Sequence, residues 1–258
     1  MKKLLILCLF TPFIFTACET VIEPNLKNVE PQLVIEGEIT DQAGPYLVKL
    51  SKTTNFTAAS QFIGVENALV ILSDNIGIID TLSMTKSGIY QTSKITGIPL
   101  HQYSLRVVSE GKEYTAQCTM PPKVLLDTIY QQEDTIIGRT NKSIRIVFID
   151  PVNEVNQYRF QLYKNGEPLD NISIRNDKYF NGQNNNVNLR VPDKGITGDV
   201  FMVQLLCIDK SVYTYFFSLS QTLSSQNAVP ANPISNITGG CLGYFSAETI
   251  DSKQIILK

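Results

Sequence analysis

Apolar and polar side chains alternate over short stretches along most of the chain after residue 30. This period of two is typical of β-strands that bury one face. The first such stretches are residues 33–39 and 46–50, and residues 103–107 repeat the pattern. Residues 68–72 are apolar throughout, which predicts a strand buried on both faces. Turns rich in Gly, Asp and Asn separate the stretches at roughly ten-residue spacing, and the pattern therefore predicts a mainly β protein of sandwich type.

Two successive prolines interrupt this β pattern. Pro121 and Pro122 cannot donate to a β-ladder and hold the chain extended. About seven strands are predicted before them, and their order of Gly-x-Tyr, Tyr-x-Leu-x-Val and Gly-Lys-x-Tyr resembles small immunoglobulin-like and transthyretin-like modules. We therefore expect an N-terminal β-sandwich domain at residues 31–120 and a second, β-rich domain at residues 123–258.

One amphipathic helix is predicted in the second domain, at residues 211–225. Its apolar side chains recur at helical spacing, and they are Val212, Tyr215, Phe216, Leu219 and Leu223. Asp209 stands where a capping side chain is expected. Packing on a sheet explains the aromatic stripe, so we do not expect it to bind a cofactor.

The beginning of the chain has a different pattern. Lys2 and Lys3 precede an apolar stretch at residues 4–15, which is too short to span a bilayer but typical of a signal peptide. Two small residues and Cys18 follow, which resembles the lipobox of bacterial lipoproteins. The pattern predicts a lipoprotein signal peptide at residues 1–17 and lipidation of Cys18, with an ordinary signal peptide as the alternative. Two or three acyl chains on one cysteine would anchor the protein durably.

The residues after Cys18 indicate where the protein would be anchored. Inner-membrane retention signals favour Asp after the lipidated cysteine, whereas this chain has Glu19. We therefore expect an anchor in the outer membrane, on its periplasmic face or at the cell surface. Residues 18–30 are polar, contain Pro24 and have no period, so they predict a tether.

The charge balance argues against one class of partner. The chain carries a net charge of −2, and removal of the signal peptide would leave 20 basic against 24 acidic residues, a net charge of −4. No basic cluster is present in the sequence, so nucleic acid is not an expected partner.

Three cysteines would remain beside Cys18 in the mature chain. They are Cys118, Cys207 and Cys241, so at most one internal disulfide is possible among them. Cys207 and Cys241 both lie in the second half and are the predicted pair, with free buried thiols as the alternative. Cys118 shares a strand face with Tyr114, and we expect its thiol to be buried.

Catalytic chemistry has few candidates in the sequence. His101 is the single histidine, and we expect it on the surface in a loop between strands. The Gly-x-Ser-x-Gly elbow is missing, and the His and Cys residues lack the spacing of a zinc site. Residues 74–77 predict a turn rather than a calcium site. We therefore predict a protein without enzymatic activity, cofactor or metal. Paired carboxylates of a glycoside hydrolase remain the alternative.

Three Asp-Thr-apolar triplets match a short O-glycosylation sequon of bacteria. The threonines concerned, which are the candidate modification sites, are Thr81, Thr128 and Thr135.

Several segments are similar to lipoproteins grouped as domain of unknown function 4249. They are Cys18-Glu19, residues 31–41, the tyrosine-rich helix and residues 232–247. The chain has no tryptophan, which marks it as a divergent or shorter member. The resemblance implies an accessory lipoprotein that associates with a TonB-dependent outer-membrane transporter in uptake or sensing, and it implies no activity or site residues.

The alternative is a surface module or adhesin that binds glycan or protein through the polar loop at residues 181–186 and exposed tyrosines.

Overall fold

A computed structural model describes residues 30–54, 62–136, 139–152, 154–191, 196–223 and 231–258. Pro31–Lys258 forms one compact unit. The described residues form seventeen strands and one helix, which confirms the mainly β class. In chain order these elements are β1 (Leu33–Thr40), β2 (Leu47–Lys52), β3 (Ile63–Gly64), β4 (Leu69–Asp74), β5 (Ile79–Thr81), β6 (Ser83–Lys86), β7 (Ile89–Gln91), β8 (Gln102–Ser109), β9 (Lys112–Thr119), β10 (Thr128–Ile136), β11 (Arg139–Ile149), β12 (Gln157–Lys164), β13 (Glu167–Pro168), β14 (Ser173–Asn176), β15 (Asn184–Arg190), β16 (Val200–Ile208), α1 (Lys210–Leu223) and β17 (Leu242–Ile256).

The described strands form one large sheet and two small ones. The large sheet has ten strands in the order β13-β12-β16-β17-β1-β2-β7-β6, with β14 added to β12 and β3 added to β2. One small sheet has the order β5-β4-β8-β9 and the other has the order β10-β11-β15. β1 and β17 pair in parallel, whereas β1–β2, β12–β16 and β16–β17 are antiparallel.

One face of the large sheet packs against both small sheets, and the first core also extends to the opposite face, where Leu206 and Tyr244 lie beneath α1. Ile35 of β1 and Phe245 of β17 belong to the first core, together with Leu105 of the four-stranded sheet. Phe160 of β12 belongs to the second core, together with Ile146 of the three-stranded sheet. Side chains alternate between the two faces of a strand, and the register places Ile35, Phe245 and Phe160 on the same face of the large sheet. The fold is therefore two sandwiches that share one large sheet.

The structure corrects the predicted division into separate domains at residues 120–123. β17 comes from the predicted second domain, yet it pairs with β1 of the first, from Val34↔Leu242 to Thr40↔Glu248. The hydroxyl of Thr249 also donates to the Pro122 carbonyl at 3.3 Å. The prolines do interrupt the strands, but the last strand returns across the interruption and completes the sheet of the first half.

Helix α1 forms close to its predicted position and has the predicted cap. The Asp209 carboxylate accepts hydrogen bonds from the backbone N–H groups of Ser211 and Val212, at 2.7 and 3.1 Å. Val212 is buried as expected, but Leu223 is 70 % exposed, so the apolar stripe contacts the protein only over its first turns. Among the described residues, no helix has the length and apolar character needed to span a bilayer.

Candidate functional site

The second face of the large sheet carries polar and charged side chains, and helix α1 lies on part of it. The register places Glu38 of β1 opposite Ser246 of β17, and the same face includes Tyr244 and Glu248. Arg159 of β12 also lies on this face. It pairs with Leu206 of β16, which pairs with Ile250 of β17, and Ile250 shares the face of Glu248 because the two are two residues apart in one strand. Charged residues from three strands therefore converge beneath the helix.

Arg159 and Glu38 form the centre of this cluster. Nη1 of Arg159 lies 3.3 Å from a carboxylate oxygen of Glu38, and the Tyr244 hydroxyl donates to the same oxygen at 2.5 Å. The guanidinium carbon of Arg159 lies 4.2 Å from the centre of the Phe216 ring of α1, a cation–π contact. The Arg159 side chain is 18 % exposed and that of Glu38 is 42 % exposed, so the carboxylate marks the open side of the cluster.

Glu248 lies beside this pair and is almost completely buried. Burial, and then the negative charge of Glu38, raise the pKa of Glu248 to about 8, although Arg159 opposes the shift. The Ser246 hydroxyl donates to the Glu248 carboxyl group at 2.8 Å. Burial therefore favours the protonated form of Glu248 near neutral pH.

Aromatic rings close the cluster on the side of the helix. The ring of Tyr244 lies 4.8 Å from that of Tyr215 and 4.9 Å from that of Phe216. Burial, followed by the charge of Glu36, raises the pKa of Tyr215 to about 12. Both tyrosines remain protonated because burial raises their pKa, and their rings cover the Arg159–Glu38 pair on the side of the helix only.

The cluster is suited to polar recognition. Glu38 is held by an arginine and a tyrosine and can accept a further hydrogen bond on its open side. Ser246 is fully buried and its hydroxyl is directed at Glu248, so it does not face solvent as a nucleophile would. Within the described residues, no group of three His, Cys, Asp or Glu side chains is arranged to hold a metal ion.

The structure contradicts the predicted disulfide. Cys207 and Cys241 are free and buried, as is Cys118. Cys207 pairs with Thr249 across the sheet, eight residues beyond Cys241, which corresponds to roughly 25 Å of extended chain. Burial raises the pKa of Cys207 and of Cys241 to about 11, so both thiols stay protonated and unreactive.

The other predicted site residues do not meet in one place. Cys18 lies outside the described residues. Thr81 and Thr128 are exposed at their strands, and the side chain of Thr135 is also outside the described set. The carboxylate of Asp80, which precedes Thr81, accepts four hydrogen bonds from the segment that follows β7. Ser93 donates two, from its backbone N–H and its hydroxyl, and the N–H groups of Lys94 and Ile95 donate one each.

Three loop predictions have mixed outcomes. Asp74 forms the predicted turn, because one of its carboxylate oxygens accepts hydrogen bonds from the N–H groups of Ile76 and Ile78. His101 is half-buried rather than on the surface, and its Nδ1 has no partner among the described residues. The polar loop predicted at residues 181–186 ends earlier, since β15 begins at Asn184.

The charged cluster beneath α1 was not predicted from the sequence. Glu36 and Glu38 alternate with buried residues of β1, which is the pattern of an ordinary solvent-facing strand side. Glu248 carried a signal that was available, because it follows an almost unbroken apolar stretch from Cys241 to Ala247. A carboxylate at such a position is costly unless it is paired or protonated.

The model of the family described as "Domain of unknown function (DUF4249)" matches residues 19–254. A search of curated proteins found no match. Among solved structures, the chain is similar to the structure of the Yersinia pseudotuberculosis adhesin InvE, with 14 % sequence identity and a TM-score of 0.23. The alignment covers 88 % of this chain but only 58 % of the adhesin chain. A TM-score this low supports no argument about function.

Proposed function

This chain belongs to the DUF4249 family, and on that premise we propose that it is a non-catalytic lipoprotein of the outer membrane that assists a TonB-dependent transporter in uptake or sensing. The transporter would be its membrane partner, and the compact unit at Pro31–Lys258 would provide the contacts.

The observation that carries this proposal is that Cys18 lies immediately before the region that matches the family. The match begins at residue 19, directly after the predicted lipidation site. The region that the family shares is therefore the region that would remain after processing at Cys18. Residues 18–30 would serve as the polar tether between the lipid and the folded unit.

The charged cluster supports binding over catalysis. Its arginine, carboxylates and tyrosine satisfy each other, and the accessible group is the Glu38 carboxylate. Hydrolases of the serine or cysteine type need a nucleophile next to a base. Here Ser246 is fully buried beside Glu248, so its hydroxyl is not accessible to a substrate.

A surface module that binds glycan is the second candidate function. A solvent-open groove beside the start of α1, lined by amide, hydroxyl and ammonium groups, favours it. The two functions are compatible, because an accessory of an uptake transporter would have to recognise the cargo.

The lipid anchor is tested by mass spectrometry of the N-terminal peptide and by membrane fractionation. We expect the wild-type chain to begin at a diacylglycerol-modified Cys18 and to fractionate with the outer membrane. Cys18→Ala should leave the chain unlipidated and absent from the outer membrane. Cys8→Ala is the matched control, since Cys8 lies within the signal peptide and its loss should change neither result. An unmodified Cys18 in the mature wild-type chain would contradict the proposal.

A further inference from the structure

A groove of about 480 Å³ lies between the first turns of α1, the start of β12 and the turn after β14. Its polar lining includes Gln157, Asn176, Lys178, Asn181, Lys210 and Tyr213. It is separate from the charged cluster, because it lies at the N-terminal end of the helix and shares none of the cluster's side chains. We propose that this groove binds an acidic saccharide, one whose sugar rings carry carboxylate groups.

The amide groups provide the hydrogen-bonding capacity that sugar hydroxyls require. A hydroxyl group both donates and accepts, and the side-chain amides of Gln157 and Asn176 also do both. Nδ2 of Asn176 donates to the Tyr213 hydroxyl at 3.1 Å, so these two groups hold each other in position. A wall that is ordered before binding loses little entropy when the ligand arrives.

Two ammonium groups give the groove its preference for an anion. Lys178 and Lys210 are both exposed, and neither forms a salt bridge with a described residue. Asp177 also lines the groove, but it is buried, and its carboxylate accepts the Asn156 backbone N–H at 2.7 Å. Asp209 is occupied as the helix cap. The accessible charge of the groove is therefore positive.

Exposed rings beside the groove are suited to the apolar faces of sugars. Tyr179 is 81 % exposed, and the Lys178 ammonium lies 5.2 Å from the centre of its ring. The Tyr213 ring stacks on Phe217 at 6.1 Å. Tyr179 adjoins Lys178 of the groove and offers an exposed ring face to a sugar, whereas Tyr213 is half-buried and forms part of the groove wall.

The same features disfavour nucleic acid as the ligand. The protein carries a net negative charge, and two lysines make too small a basic patch to hold a phosphate backbone. A short saccharide with a few carboxylates matches both the charge and the size of the groove.

The inference deepens the second candidate function and requires neither the lipid anchor nor the transporter. It is tested by isothermal titration calorimetry of the full mature protein in detergent, with trigalacturonate as the probe and maltotriose as the neutral comparison. We expect trigalacturonate to bind with heat that is lost in 0.5 M NaCl, and maltotriose to bind at least tenfold more weakly.

A double variant identifies the site. Replacement of Lys178 and Lys210 by Ala should weaken trigalacturonate binding at least tenfold, whereas Lys49→Ala, at an exposed lysine of β2, should leave it unchanged. The proposal is overturned if trigalacturonate shows no binding, if maltotriose binds equally well, or if the double variant binds like the wild type. Loss of the lipid in the anchoring experiment would leave this result unaffected, so the two proposals fail separately.

Discussion

At the scale of single residues, Glu248 makes a contribution to stability that depends on pH. Its pKa is raised from 4.5 to about 8, so the folded chain binds this proton more tightly than the unfolded chain does. Rising pH therefore favours the unfolded state between these two values. Glu248 contributes most to stability below pH 4.5, and that contribution is lost progressively as the pH rises to about 8.

Glu248→Gln should remove this dependence. The amide has no proton to lose and can still accept the hydrogen bond from Ser246. We expect the free energy of unfolding of the variant to change less between pH 5 and pH 8, with a gain of roughly 1–3 kcal/mol over the wild type at pH 8. Urea denaturation at several pH values measures both quantities.

Glu36→Gln is the matched control for this change. Glu36 is an exposed residue of β1 on the same face of the large sheet, so its replacement should leave the pH dependence as in the wild type. Equal slopes for the wild type and Glu248→Gln would show that Glu248 is ionised in the folded protein and would contradict its assignment as a neutral group.

At the scale of elements, the sequence predicts features that depend on local geometry. The Asn165-Gly166 pair is a sequence signal for a hairpin, and it forms the turn between β12 and β13 with φ values of 52° and 90°, because both residues tolerate the left-handed conformation. The cap of α1 was predictable for the same reason, since Asp209 contacts N–H groups only two and three residues away. The exposure of Leu223 was not predictable, because it depends on where the sheet beneath the helix ends.

The helix cap gives a prediction at this scale. Asp209→Ala leaves the first N–H groups of α1 without their side-chain acceptor and should lower the free energy of unfolding by about 1 kcal/mol. Asp209→Asn retains an oxygen acceptor and should lose much less. Thermal denaturation of both variants compares them, and equal losses would show that the charge of Asp209, rather than its capping hydrogen bonds, stabilises the helix.

At the scale of the whole molecule, pairing of β1 with β17 joins the two sandwiches. Gly243 lies at this pairing with φ of 93°, and a Cβ added there would come within 2.0 Å of the Ile35 carbonyl oxygen. The Ile35 carbonyl belongs to the backbone of β1, so it cannot move away from an added Cβ as the end of a flexible side chain could. The connection therefore depends on a residue without a side chain.

Gly243→Ala should consequently destabilise the whole unit. Gly240→Ala is its control, because Gly240 also has a positive φ, of 82°, but an added Cβ would meet nothing within 4 Å. We expect Gly240→Ala to cost about 1 kcal/mol from backbone strain alone, and Gly243→Ala to cost roughly 2–4 kcal/mol more. Urea denaturation should show one cooperative transition for each variant, and equal losses would contradict the close packing at Gly243.

The shared sheet and the charged cluster were beyond prediction from the sequence for one physical reason. Val34 and Leu242 are neighbours in the structure but lie more than 200 positions apart in the chain. Short-range patterns specify strands and turns, whereas the partner of each strand depends on packing over the whole chain. Arg159, Glu38 and Glu248 meet only after β12, β1 and β17 have joined one sheet, so their proximity could not be inferred from their separate segments.

The proposed role as an accessory of a TonB-dependent transporter is tested by affinity purification of the full-length tagged chain from outer membranes in mild detergent, followed by mass spectrometry. We expect one TonB-dependent transporter to be recovered in comparable amount, and much less with Cys18→Ala, which is not held at that membrane. Recovery of the lipidated chain without any such transporter, in repeated purifications, would contradict the proposed role.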